Sequence, residues 1–208
     1  MGVVVVVVLA LPVSPGAARS DAACELPGYS YAGYVSSAPV HAVGATITAE
    51  RTPQVARGHV AAWVGVGSLH AGPHRSNEWL QAGLVSYGES TFRLYVESAT
   101  PGAPRRYFEV GRGIAPGERH HVAVVETSPG SWQARVDGRA AGPAVFLPGA
   151  EHGLPSMTTA ESWAAAHSRC NGFRFTFDEL RLGTAQQLEL RSPFNRLVRR
   201  RTGFRAAA

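Results

Sequence analysis

Two short segments each place a polar side chain beside a tryptophan in a stretch that alternates like a β-strand. The first, NEWLQAGL, contains Gln81, and the second, TTAESW, contains Glu161. Side chains two positions apart share a face of a strand, so Gln81 lies on the same face as Trp79, and Glu161 on the same face as Trp163. If both strands belong to one sheet, an amide and an ionisable acid face a single groove, each flanked by an indole. Such a groove suits either catalysis on a bound ligand or binding alone.

Other catalytic patterns do not occur in the sequence. Sandwich glucanases carry carboxylates that alternate on one strand, as in Glu-x-Asp-x-x-Glu, and this spacing is missing here. Asp178 and Glu179 are adjacent and point to opposite faces, which fits a solvated strand end better than a catalytic pair. There is no Gly-x-Ser-x-Gly nucleophile elbow and no phosphate-binding glycine loop. Two pairs of histidines, His70 with His74 and His120 with His121, lack a third ligand at a suitable spacing. We therefore predict no metal and no cofactor.

The hydrophobic pattern predicts the strands that would carry these side chains. Its period is close to two, in short blocks separated by Gly, Pro, Ser or Asn, and no long helix is predicted. The dipeptide Asp137-Gly138 is a strong tight-turn signal. The predicted strands lie near residues 42–50, 57–66, 79–87, 91–97, 105–111, 119–126, 131–137, 143–147, 157–163 and 172–182. This spacing favours an all-β fold, a two-sheet antiparallel β-sandwich of jelly-roll type, although periodicity alone does not separate a sandwich from a closed barrel.

Composition and charge describe one folded domain that is not built to bind nucleic acid. The 208 residues are 45% hydrophobic and 17% charged, which is enough apolar material for a single core. The formal net charge is +5, but residues 189–208 hold six arginines against one glutamate. The rest of the chain is balanced, so the basic character belongs to a tail and not to a face of the fold.

The N-terminus predicts export. Residues 3–11 form an apolar run that is too short to span a bilayer, and alanines follow it as in a signal-peptide cleavage zone. The alternative is a buried first strand. We therefore expect a secreted protein with no stable membrane insertion, and a monomer. In an exported chain the two cysteines, Cys24 and Cys170, are expected to form a disulfide, and two unrelated thiols are the alternative.

These features divide the chain into three parts. Residues 1–23 are the expected signal peptide and residues 24–183 the β-sandwich domain. Residues 184–208 are a basic C-terminal tail, and for residues 191–208 within it we expect a loop or a short helix.

Three motifs carry a resemblance to a known family. The segments WVGVG, WLQAG and AESW, in this order, resemble the glutamic peptidases, also called eqolisins or peptidase family G1. The stretch from about Cys24 to Leu182 is similar to bacterial secreted relatives of that superfamily, which have the concanavalin A-like lectin/glucanase fold. The resemblance implies that Glu161 is the general base towards water and then the acid towards the leaving amine. It also implies that Gln81 orients the water and stabilises the oxyanion, since an amide donates a hydrogen bond without forming an ion pair with the base.

The sequence also departs from the family. The first glycine strand leads into GSLHAGPHRSN where an acidic or small polar loop is usual, and ESWAAAHSRCN replaces an expected carboxylate cluster. Two functions therefore stay open: an endopeptidase with a Glu/Gln pair, or a non-catalytic lectin-like module that binds a polysaccharide or peptide. In both, Trp79 and Trp163 would contact the ligand. Trp63 and Trp132 are expected in the core.

Overall fold

A computed structural model of the chain describes residues 28–36, 38–150, 153–164 and 171–183 in full, and the backbone alone of 184, 187–190 and 196–200. The expected signal peptide and both cysteines of the expected disulfide, Cys24 and Cys170, lie outside the described residues, so export and the disulfide stay predictions. Within the described part of the chain, no helix is long and apolar enough to cross a membrane.

The described residues form fourteen strands and two short 3-10 turns, Pro73–Arg75 and Pro148–Ala150. The strands are β1 (Gly28–Val35), β2 (Ala42–Ala49), β3 (His59–Ser68), β4 (Glu78–Ser86), β5 (Phe92–Ala99), β6 (Arg106–Ile114), β7 (Arg119–Ser128), β8 (Ser131–Val136), β9 (Arg139–Ala140), β10 (Val145–Phe146), β11 (Ser156–Ala164), β12 (Phe175–Thr184), β13 (Gln187–Leu190) and β14 (Arg196–Arg200).

The strands form two antiparallel sheets that pack face to face. The first sheet has the order β14-β1-β11-β3-β4-β5-β6, and the second has the order β10-β8-β7-β2-β12-β13, with β9 paired to β8. The predicted all-β, two-sheet antiparallel sandwich is therefore confirmed, and the closed barrel is excluded because the sheets have separate strand orders.

All ten predicted strands are present, and four strands were not predicted. The missed strands are β1, β9, β13 and β14. The last two lie in the predicted C-terminal tail, and β14 lies in the part of it, residues 191–208, that was expected to be a loop or a short helix, so that expectation is wrong for β14. The segment pairs with both sheets, β13 with β12 and β14 with β1.

Alternation on β3 explains how the first sheet packs against the second. Val60, Ala62, Val64 and Val66 are at most 1% exposed and belong to the main hydrophobic cluster between the sheets. The residues between them must point to the opposite face of the sheet. Burial of these aliphatic side chains thus determines which face of β3 points away from the second sheet.

The second sheet closes the core with aromatic side chains. Trp132 on β8 is fully buried, as expected, and Phe173, Phe175 and Phe177 pack against the same cluster. The predicted turn at Asp137-Gly138 joins β8 to β9, with positive φ at both residues.

One end of the sandwich contains a buried carboxyl group. Glu78, at the start of β4, is 0% exposed, and its Oε1 accepts a hydrogen bond from the backbone N–H of Gly149 at 2.7 Å. Its Oε2 is buried without a hydrogen-bond partner among the described residues. Burial raises the pKa of Glu78 above its usual value, although the bond from Gly149 opposes this.

Candidate functional site

The outer face of the first sheet carries the sequence-predicted residues. We call this surface the site face and define it by the outward side chains of the four central strands β11, β3, β4 and β5. Gln81 of β4 and Glu161 of β11 both lie on it, on either side of β3. The condition stated from the sequence, that both strands belong to one sheet, is met.

The amide and the carboxylate are offset along the strands. Glu161 pairs with Ala61, and Ala61 pairs with Val85, four residues beyond Gln81 on β4. Trp63 of β3 occupies the space between them on the face. Among the described residues no hydrogen bond joins Gln81 to Glu161, and each has partners on its own side of the face.

Glu161 is held by two donors from β3. Its Oε2 accepts a hydrogen bond from the indole Nε1 of Trp63 at 3.1 Å, and its Oε1 lies 2.8 Å from the imidazole Nε2 of His59. Glu161 is 7% exposed and Trp63 is 8% exposed, so the carboxylate is largely removed from water. The side chain of His59 is 20% exposed and so is more accessible than that of Glu161, at 10%.

Gln81 is held by two acceptors from β5. Its Nε2 donates to the hydroxyl of Tyr95 at 3.2 Å and lies 3.4 Å from Oε2 of Glu97. Glu97 is also 3.7 Å from Nη1 of Arg105, which is mostly exposed. These contacts orient the amide nitrogen towards β5.

The two halves of the site are linked electrostatically through Tyr95. Burial raises the pKa of Tyr95 well above its usual value, and the carboxylates of Glu161 and Glu97 raise it further. Burial also raises the pKa of Glu97, and Glu161 adds to this, whereas Arg105 lowers it. Two carboxylates therefore act on one buried phenol, which stays protonated.

Glycines form the middle of the site face. Gly83 pairs with Trp63 on one side and with Tyr95 on the other, between the two polar clusters. A Cβ at Gly83 would lie 2.0 Å from the backbone oxygen of Ala62 and 2.6 Å from Cα of Trp63. Only glycine allows the strands to approach so closely here, and Gly83 is itself buried between its neighbours.

Aromatic rings enclose the end of the face near Glu161. The imidazole of His59 stacks on Trp163 with centroids 6.1 Å apart, and the rings of Tyr29 and Tyr87 contact it at 6.1 and 5.8 Å. Tyr29 and Tyr87 are 43% and 47% exposed.

Trp79 and Trp163 lie far apart on the face. Trp79 pairs with Gly67 at one end of β3, whereas Trp163 pairs with His59 at the other end. Each is near its own polar neighbour, Gln81 or Glu161, as parity predicted, but they do not line one compact pocket together.

Sequence reasoning missed four side chains of this site. Trp63 was expected in the core, and it is buried, but it belongs to a separate cluster on the site face and not to the main cluster between the sheets. His59, Tyr95 and Glu97 were not singled out. The alternation of β3 and β5 contains the signal for all four, because these residues occupy the parity opposite to the buried aliphatic positions.

Comparisons with known proteins show what the fold is similar to. No protein-family model and no curated protein sequence matches the chain. Scytalido-glutamic peptidase, solved with a transition-state analogue inhibitor, aligns with a TM-score of 0.54 and 17% identity over 78% of this chain and 83% of its own. SCP-B, a member of the eqolisin family of peptidases in complex with the tripeptide Ala-Ile-His, gives 0.53 and 16% over 77% and 82%. An alginate lyase from Pseudomonas aeruginosa gives 0.53 and 16% over 70% and 65%.

These likenesses concern the fold. The resemblance to the glutamic peptidases that the motifs indicated is confirmed at the level of the concanavalin A-like sandwich. Because the same sandwich occurs in an alginate lyase, the fold does not select one chemistry.

Proposed function

We propose that the chain is a glutamic-peptidase-like hydrolase in which Glu161 activates water for attack on a peptide bond and Gln81 stabilises the oxyanion. One observation carries the proposal. A largely buried carboxylate held by Trp63 and His59 shares one sheet face with an amide held by Tyr95 and Glu97. The fold shared with two solved glutamic peptidases supports it.

In the proposed mechanism Glu161 and Gln81 act in different ways. Indole Nε1 has only a proton to donate, so Oε2 of Glu161 is fixed as an acceptor, and the carboxylate retains lone pairs for a proton from water. That proton later passes to the leaving nitrogen as the C–N bond breaks. The Gln81 amide is neutral, so an N–H of Nε2 that turns from Tyr95 or Glu97 towards the substrate can donate to the negative oxygen without quenching the base.

The test is cleavage of an unfolded protein substrate by the full-length chain across acid and neutral pH. We expect Glu161→Gln to lower kcat/KM by at least about 100-fold, the scale of general base catalysis. We expect Gln81→Ala to lower it by about 100-fold or more, the scale of a lost oxyanion donor. Thermal unfolding would show that both variants fold.

A matched control is Glu126→Gln. Glu126 is also buried and paired with a histidine, His41, but it lies on β7 in the second sheet. This variant should keep the wild-type kcat/KM. Undiminished cleavage by Glu161→Gln would overturn the proposal.

A second candidate function is ligand binding without catalysis. It is favoured by the exposed aromatic rings of Tyr29, Tyr87 and Tyr107, which are 43–47% exposed and suited to stacking on sugar rings or peptide side chains. Titration with oligosaccharides and peptides would then show binding that Trp79→Ala weakens and Glu161→Gln leaves intact. If Trp79→Ala bound every ligand as tightly as wild type, this candidate would be contradicted.

Export is part of the proposed role, because the apolar N-terminal run predicts a signal peptide. Expression of the full-length gene with N-terminal sequencing of the product tests it. A secreted product that begins near residue 24 is expected, and an uncut product inside the cell would contradict export.

A further inference from the structure

The histidine beside the candidate base has no role in the proposed Glu/Gln chemistry. His59 is the first residue of β3, and its Nε2 lies 2.8 Å from Oε1 of Glu161. Since Oε2 already accepts from Trp63, both carboxylate oxygens have a partner from the same strand. The carboxyl group is therefore fixed in orientation.

The protonation state of the imidazole changes what this contact does. An imidazolium donates from both nitrogens and carries a positive charge, whereas a neutral imidazole donates from only one. Burial opposes ionisation of a carboxylate, and a nearby positive charge or a donated hydrogen bond favours it. Nε2 of His59 lies 2.8 Å from Oε1 of Glu161, so a charge on the ring acts on this carboxylate at hydrogen-bond distance.

The surroundings of His59 suit a cation. The ring is stacked on Trp163 at 20° between planes, and aromatic faces attract cations at about this distance. The titratable groups that contact His59 include Glu161, Tyr29 and Tyr87. Further off are Glu97 and Tyr31 of β1, which pairs with Glu161 and stacks on Tyr29, with Arg93 over the Tyr87 ring and Arg105 beside Glu97. Glu161 and Glu97 place negative charge near His59. The positive charges of Arg93 and Arg105 are each paired with glutamates.

We propose that His59 is a positioning residue that keeps Glu161 an ionised proton acceptor at acid pH by pairing with it as an imidazolium. This rests on the hydrolase function proposed above. In the reaction, the water oxygen bonds to the carbonyl carbon and one water proton passes to Glu161. The same proton then moves to the amine nitrogen as the C–N bond breaks, so His59 itself gains and loses no proton in the cycle.

The variant His59→Gln separates charge from hydrogen bonding, because glutamine keeps an N–H donor but cannot become a cation. We expect its kcat/KM to fall about tenfold or more relative to wild type at about pH 4 to 5, and to differ little at about pH 8, where imidazole is ordinarily neutral. The matched control is His41→Gln, which removes the histidine paired with Glu126 in the second sheet. Its pH–rate profile should be that of wild type.

A second readout does not depend on activity. The side-chain carboxyl carbon resonance of Glu161, assigned by its loss in Glu161→Gln, reports ionisation during an NMR pH titration. We expect the ionised form to persist to lower pH in wild type than in His59→Gln. Coincident titrations, or pH–rate profiles that stay parallel, would overturn the role of His59. A shifted titration in a chain that cleaves no substrate would support the pairing and refute only the proposed hydrolase.

Discussion

Replacement of Trp63 by phenylalanine tests whether the indole N–H stabilises the buried carboxylate of Glu161. The change keeps an aromatic ring in place and removes the donor 3.1 Å from Oε2. A hydrogen bond to a charged group contributes about 1.5–3 kcal/mol, and an acceptor left buried without it bears a desolvation cost. We therefore expect the free energy of unfolding at neutral pH to fall by this amount, in addition to the loss from the smaller ring.

Trp132→Phe isolates the ring-size effect. Trp132 is fully buried, and its Nε1 has no hydrogen-bond partner among the described residues. This substitution removes the same atoms without removing a hydrogen bond. Urea unfolding followed by far-ultraviolet circular dichroism gives both values. Trp63→Phe should be the less stable by about 2 kcal/mol, and a difference below about 0.5 kcal/mol would refute the proposed stabilisation.

Three further outcomes follow from the described contacts. Gly83→Ala should destabilise the fold by more than about 2 kcal/mol in urea unfolding, because its Cβ would meet backbone at 2.0 Å, whereas Gly102→Ala meets nothing within 4 Å and should lose only about 1 kcal/mol through its positive φ. Tyr95→Phe should lower the proposed cleavage rate about two- to tenfold, because Gln81 loses one of its two acceptors, and an unchanged rate would place Tyr95 outside the site. Glu78 has a pKa that is raised in the folded state, so the native protein binds more protons than the unfolded chain between the usual and the raised value, and stability falls as pH rises through that window. Glu78→Gln should remove this fall, and an unchanged pH slope of the unfolding free energy would contradict it.

The alternation of hydrophobic residues along β3 and β4 was sufficient to predict which face of the sheet their side chains occupy. On β3 and β4 the aliphatic residues of one parity are buried between the sheets, which leaves Gln81 on the other face. Glu161 lies on that same face because β11 pairs with β3, where Glu161 is opposite Ala61. The same rule would have placed Trp63 there too. It was assigned to the core on the general preference of large aromatics for interiors, and that preference does not distinguish a sandwich core from a second cluster on an outer face.

Strand order was not accessible from local pattern. The positions of Tyr95 and Glu97 beside Gln81 depend on β5 pairing with β4, and that of His59 beside Glu161 depends on β3 pairing with β11. The missed strand β1 reads GYSYAGYV, in which tyrosines alternate with small residues in place of the aliphatics that mark a buried strand. The arginines of the C-terminal segment likewise suggested a solvated tail. Its pairing with the sheets comes from backbone hydrogen bonds, to which side-chain polarity is a poor guide.

The strand order has a consequence for how the protein is made. The neighbours β3 to β6 follow one another along the chain and can pair as soon as they are synthesised. Glu161 is part of β11, which is synthesised later and must insert between β3 and β1. The acid and the amide therefore come to share one face only after β11, Ser156–Ala164, has been synthesised, and the proposed site does not exist in a shorter nascent chain.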